Sequence, residues 1–431
     1  MIWESSNTKR FAEALSASCS CTVPREDAVE ISELLRSQVA SWSQQKAERW
    51  ADSILPQPLS TKDSGRDVDP TYYWAVTPLS NSFTDDIESS YPDLFTGPAP
   101  LRALAHWHSK SLLAISKYTL HVAWADSGLP YREWIGRFLQ APVNNWSSIF
   151  SHYPMLLRFL HNTDSNIRAA TIEMLCRVEQ DRSMLTEGLG SKGCITDVEL
   201  GLSDPHRGGR SVARIAFENG VSVMYKPKPL RIDRLIQEFA SQSTSFGHPG
   251  LFPLKTLSCD GYGWMEIAGS NNREMVSPKA IGKAAALFWL LNATDLHSEN
   301  LVGHGQDLAA LDLETLLTAP MSEPKGLPDP SWRTHTLLST QLAQISYGTS
   351  RRPNISGLFP ESNVELLSNS LEFFVERDSV QVRRIAADRR SDEQGLRSTN
   401  QRYSSHDIVS SFEQAIQSGL PEVQNLSLIH I

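Results

Sequence analysis

The sequence predicts a two-lobed α+β protein with a helical N-terminal region. Three observations carry that prediction. Apolar residues recur at helical spacing from about 98 to 185. Short, partly alternating runs separated by turn residues crowd into 194–268. An acidic loop, Asp295-Leu-His297-Ser-Glu-Asn300, follows an apolar helical run at 284–291 and precedes a short apolar strand at 308–311. The resulting division is 1–190, helical; 191–320, a mixed core with the acidic loop; and 321–431, helical again.

The elements follow in order. Residues 25–54 read as a helix, and the polar stretch 56–70 as an exposed loop. Helical segments are expected at 101–124, 131–139 and 165–181, the last with Ser165 as N-cap. Strands are expected at 194–201, 211–217 and 221–227, with Asn219-Gly220 marking a hairpin between the last two. A helix near 230–241 precedes a strand pair, 254–260 and 262–268, around Gly261. A helix at 278–292 leads into the acidic loop. Residues 382–402, rich in arginine, read as a solvated helix and loop. Gly188-Leu-Gly190-Ser-Lys-Gly193 matches a dinucleotide fingerprint literally, but it precedes a strand and opens no helix, so it reads as a linker. A strand lysine, a helix, a strand pair, a helix and a D-x-H-x-x-N loop form the element order of a bilobal kinase.

At 431 residues the chain can form two or three domains. Its net charge of −9 argues against a nucleic-acid binder, and no apolar stretch is long enough for a membrane span. The five cysteines are odd in number and scattered, which fits reduced thiols in a cytoplasm. Cys19-Ser-Cys21 lacks a second pair at zinc spacing.

The chemistry concentrates at two places. Asp295, His297 and Asn300, with Asp312-Leu-Glu314 shortly after, are the parts a phosphoryl-transfer site needs. One carboxylate orients the attacking hydroxyl, while an Asn and a second carboxylate hold Mg²⁺ against the nucleotide phosphates. Alternation places Asp312 and Glu314 on one face of an extended segment, where unpaired carboxylates would be costly. Lys226 closes an apolar strand and can pair with phosphates, although most strand lysines are solvated. Between two strands, Asp204-Pro-His206-Arg-Gly-Gly-Arg210 offers glycines for close backbone approach and a guanidinium, or else is an ordinary polar turn. Tyr262 and Trp264 are core aromatics or the border of an adenine pocket.

Residues 200–316 resemble the dehydratase domain of class II lanthipeptide synthetases, the LanM type. The matching blocks are Gly201-Leu-Ser-Asp204-Pro-His206, Gly209-Arg210-Ser-Val, Tyr225-Lys226-Pro-Lys, Tyr262-Gly-Trp-Met-Glu266, Thr294-Asp295-Leu-His297-Ser-Glu299-Asn300-Leu and Leu311-Asp312-Leu-Glu314-Thr315-Leu. The resemblance implies a lipid-kinase-like fold that uses ATP and Mg²⁺. Ser and Thr of a leader-bearing precursor peptide are phosphorylated, and phosphate is then eliminated to leave dehydroamino acids. It further implies that Asp295 orients or deprotonates the hydroxyl and His297 stabilises the transferring group. Asn300 and Asp312 would ligate the metal, with Glu314 in support. Lys226 would contact phosphates, and Asp204 and His206 would belong to the active site.

The resemblance has departures. The family's R-x-T elimination segment and its zinc cyclase find no match, and Lys228 stands where the family often has Arg. The chain is therefore expected to be part of a longer synthetase. A lipid or small-molecule phosphotransferase and an inactive peptide-binding scaffold are the competing readings.

Overall fold

The computed structural model describes residues 70–206, 208–268, 276–297, 300–317, 340, 342, 365–388 and 404–426. The helix expected over 25–54 and the Cys19/Cys21 pair lie outside them.

Among the described residues, six helices come first: α1 (Pro70–Ser90), α2 (Ala99–Ser127), α3 (Tyr131–Gln140), α4 (Pro142–His152), α5 (Pro154–Gln180) and α6 (Arg182–Leu189). Prolines start several of them, where the missing N–H is harmless. Ser165 is no cap, because α5 already begins at Pro154 and runs through it. The apolar stripe of that helix, from Leu156 to Val178, extends the segment in both directions and outweighs the local capping signal.

An antiparallel five-stranded sheet follows, in the order β1-β2-β3-β5-β4. Its strands are β1 (Ile195–Glu199), β2 (Ala213–Phe217), β3 (Ser222–Lys226), β4 (Thr256–Ser258) and β5 (Gly263–Glu266). The turn at Asn219-Gly220 is present, with Gly220 at φ 80. Period-two alternation gives the sheet two distinct faces. Val223, Tyr225 and Trp264 pack with the helices, together with Leu104, Met174 and Val178. Met224 and Met265, opposite one another in the ladder, face the other way, toward Leu254, Val302 and Ala309.

A further core gathers α7 (Arg231–Gln242), α8 (Pro278–Leu290), the hairpin β6 (Leu301–His304) with β7 (Asp307–Ala310), and α9 (Ser405–Gln424). Helix α8 is apolar on nearly every side and sits at the centre of the largest core, with Phe246, Leu296, Leu301 and Leu313 around it. Ser277 caps it, accepting from the Lys279 amide at 3.2 Å.

The C-terminal third is not wholly helical. Residues 382–388, expected in a solvated helix, belong to β9 (Ser379–Asp388), which pairs with β8 (Glu365–Glu376). The apolar residues of this hairpin have a destination that no local pattern reveals: Phe373 and Val380 enter the core of the N-terminal helices beside Tyr72. At the tip, Asp378 caps α3, accepting from the Arg132 amide at 2.8 Å.

One polar cluster inside the helical region carries a pH prediction. Fully buried His108 contacts Ser80 Oγ at 2.9 Å through Nδ1 and Asp164 at 2.8 Å through Nε2. Burial holds its imidazole below the ordinary value of 6.5, despite the Asp164 carboxylate. The unfolded chain therefore takes up a proton near pH 6.5 that the folded chain resists, so stability falls as pH drops below that value. The urea midpoint should decline between about pH 8 and about pH 5.5, and His108→Gln should flatten that decline. An unaltered pH profile in the variant would contradict this assignment.

Candidate active site

The site forms where β3 meets the segment after β7. Alternation turns Lys226 away from Tyr225 and the helices. Its Nζ donates to the carbonyl oxygen of Leu311, and the side chain is buried. Two residues on, Lys228 Nζ lies 2.5 Å from Asp312 Oδ1 and 2.9 Å from Glu314 Oε2. The expectation that Asp312 and Glu314 share a face is met: one ammonium reaches both.

A third acid, Asp233, stands behind this group on the first turn of α7. It is 1 % exposed, and among the described residues its Oδ1 has no hydrogen-bond partner. Its carboxyl is pushed upward by burial, against the pull of Lys226 and Lys228. Burial also lowers the Lys226 pKa, with Asp312 and Asp233 opposing. Burial works against charge on Asp312 too, but Lys226 and Lys228 outweigh it and hold that carboxyl below its ordinary range. Lys228 responds in kind: burial opposes its charge, yet Asp312 and Glu314 raise its pKa. The result is a partly desolvated set of two cations and three acids, in which each charge depends on the others.

The 295–300 loop joins it through the backbone. The Leu311 amide donates to the Asn300 carbonyl at 2.9 Å, which puts Asn300 next to Asp312. Asn300 Nδ2 donates to the Asp295 carbonyl at 2.8 Å and lies 3.4 Å from His297 Nε2. That Nε2 is 3.8 Å from Asp295 Oδ1. Asp295 takes a left-handed backbone, φ 61, which Asp tolerates better than most residues. From below, the Thr294 amide donates to the Thr315 carbonyl at 3.2 Å, and the Leu296 amide to the Thr340 carbonyl at 3.0 Å. The loop thus rests on the segment carrying Asp312 and Glu314.

Not every expected residue joins. Arg210 is bound to Glu173 of α5, at 2.7 Å through Nε. Asp204 and His206 are exposed, and among the described residues their side chains form no hydrogen bond or ion pair with the Lys226 group. Tyr262 and Trp264 face the helices. Both donate to Asp181 Oδ2, at 2.8 and 2.7 Å, and pack in the core shared by the sheet and the helices. Two residues of the charged set escaped sequence reading. Asp233 sits in an amphipathic helix whose first turn commonly carries acids, so nothing marked it. Lys228 was noted only as a departure from the family's Arg in Tyr225-Lys226-Pro-Lys228, with no role attached.

A family model described as a domain of unknown function (DUF4135) matches residues 153–420. The chain belongs to this family. The DUF4135 region takes in α5, the five-stranded sheet, the acidic loop and the β8–β9 hairpin, so the whole charged set lies within it. The chain is also similar to the lacticin 481/lactococcin biosynthesis protein LcnDR2 of Lactococcus lactis subsp. lactis, at 25% identity over 190 residues. That alignment covers 41% of this chain and 20% of the relative, so the match spans a fifth of the relative's length. The resemblance to class II lanthipeptide synthetases read from the motifs is borne out. Among the described residues of this DUF4135 chain, no helix is long and apolar enough to cross a membrane.

Proposed function

We propose that this chain acts in lanthipeptide biosynthesis as a peptide phosphotransferase, transferring phosphate from ATP to Ser and Thr hydroxyls of a precursor peptide, with phosphate elimination following. The observation that carries this reading is the meeting of Lys226 and Lys228 with Asp312 and Glu314, beside an Asp295-His297-Asn300 loop. Similarity to a protein of lacticin 481/lactococcin biosynthesis supports a precursor peptide as the acceptor.

The donor set suits a hard divalent cation. Asp312 offers a carboxylate, and Asn300, whose Nδ2 is already committed to the Asp295 carbonyl, offers its side-chain oxygen. Magnesium bound there would neutralise charge on the phosphates. Among the described residues no cluster of three or more His, Cys, Asp or Glu surrounds one point, so phosphate oxygens and waters would complete the shell. Lys226 and Lys228 attract the phosphates from β3. Asp295, half exposed on its strained loop, orients the peptide hydroxyl and receives its proton. Elimination then needs a base for the α-proton and cations to hold the departing phosphate, and the two lysines supply the latter.

The test is mass spectrometry of a Ser/Thr-containing precursor peptide incubated with the chain, ATP and Mg²⁺. A phosphate mass gain or a water loss supports the proposal. ATP hydrolysis or transfer to small hydroxyl compounds, with the peptide unmodified, favours the small-molecule phosphotransferase. Absence of Mg·ATP binding refutes both and leaves the scaffold.

A further inference from the structure

The loop bearing Asp204 and His206 is anchored from outside the charged set. His206 and Arg210 close it by exchanging backbone hydrogen bonds of 2.8 and 2.9 Å. Arg210 then reaches Glu173 Oε2 through Nε at 2.7 Å and a terminal nitrogen at 2.6 Å. The other Glu173 oxygen pairs with Arg177. Arg177 donates to the Tyr225 hydroxyl and lies 4.0 Å from the centre of the Tyr262 ring. Tyr225 immediately precedes Lys226 on β3. Gly209 packs against α5 as well: a Cβ there would stand 3.1 Å from the Asn166 side chain and 3.2 Å from its backbone. Asn166, Glu173 and Arg177 are spaced by seven and four residues, so they share one face of α5.

An isolated surface pair would hold little. Here one carboxylate is shared by two guanidiniums, with side chains only 18–38 % exposed, and glycine lets the loop close on the helix. A charge-assisted fork of this kind fixes orientation more than it adds stability.

We propose that Glu173 is a positioning residue that clamps the 204–210 loop to α5, so that the helical region sets where Asp204 and His206 stand during phosphoryl transfer. The proposal rests on the phosphotransferase reading above, but the clamp can be tested without nucleotide. Hydrogen exchange of the full chain should show the amides of 204–210 exchanging about tenfold faster in Glu173→Ala, with β6 and β7 unchanged. Glu173→Gln, which keeps the side-chain volume, should show a smaller change in the same place. Arg210→Ala should give the same result as Glu173→Ala, and the double variant should add nothing further. In ATP-dependent phosphorylation, Glu173→Ala should lower kcat by about tenfold with KM for ATP nearly kept, and Glu173→Gln should recover part of the loss. Unchanged loop exchange, or fully additive single variants, would overturn the clamp. A wild-type chain that binds no Mg·ATP would instead overturn the phosphotransferase reading, and the exchange result would still decide the clamp.

Discussion

Replacing Asp312 by Asn is expected to abolish phosphate transfer, by about a thousandfold or more, while leaving the thermal midpoint nearly unchanged. The side chain keeps its shape, Lys228 retains Glu314 at 2.9 Å, and buried Lys226, which loses one supporting charge, retains the Leu311 carbonyl and Asp233. What disappears is the carboxylate that burial alone would neutralise and that Lys226 and Lys228 keep ionised. An amide cannot supply that charge to a metal or to the lysines. Asp295→Asn should behave alike, because Asp295 is half exposed and contributes to the loop through its carbonyl, and asparagine keeps both that carbonyl and the left-handed backbone at φ 61. Kinetics on the precursor peptide, paired with thermal unfolding, check both variants. Full activity in Asp312→Asn would sink the site assignment, whereas lost activity with a collapsed midpoint would show a structural role instead.

The second large effect is on stability. Gly282→Val should destabilise the chain by about 3 kcal/mol, at the upper end for overpacking a core. Gly282 lies in α8 where α9 crosses it. A Cβ at this position would press on the Ile408 carbonyl and stand 2.9 Å from the Phe412 nitrogen. Both are backbone atoms, so no rotamer change relieves the clash and α9 must shift as a whole. Ser411, which donates to the Lys279 carbonyl at 3.1 Å, would be pulled away with it. Helix α8 also delivers the chain to the 295–300 loop, so peptide phosphorylation should fall in parallel. Differential scanning calorimetry measures this, and an unshifted midpoint would mean that α8 and α9 do not cross so closely.

Where the sequence carried a strong local signal, it led to the right element. Helix α8 was visible because of its apolar run at 284–291. Strands β2 and β3 were visible from alternation around Asn219-Gly220. The reading failed where a local signal was weaker than a distant contact. Ser165 looked like a cap, but the apolar stripe of α5 continues past it on both sides. Residues 382–388 looked like a solvated helix, but pairing across the Arg377-Asp378 turn and the burial of Phe373 and Val380 among the N-terminal helices made them a strand.

Charge followed the same rule. The acids and the lysine were legible as residue types at a telling spacing, and Asp312 and Glu314 indeed converge on one cation. Their partners were not legible, because pairing depends on which elements fold together. Only the tertiary structure brought Asp233 from α7 to the back of the Lys226 group and gave Arg210 to Glu173, 37 residues away. The sequence by itself determined which chemistry the chain can attempt, since residue types and their local order fix the available acids, cations and turns. Which of those groups meet, and which are held apart on a helix face, was decided by long-range packing, because burial and Coulomb attraction act across space and not along the chain.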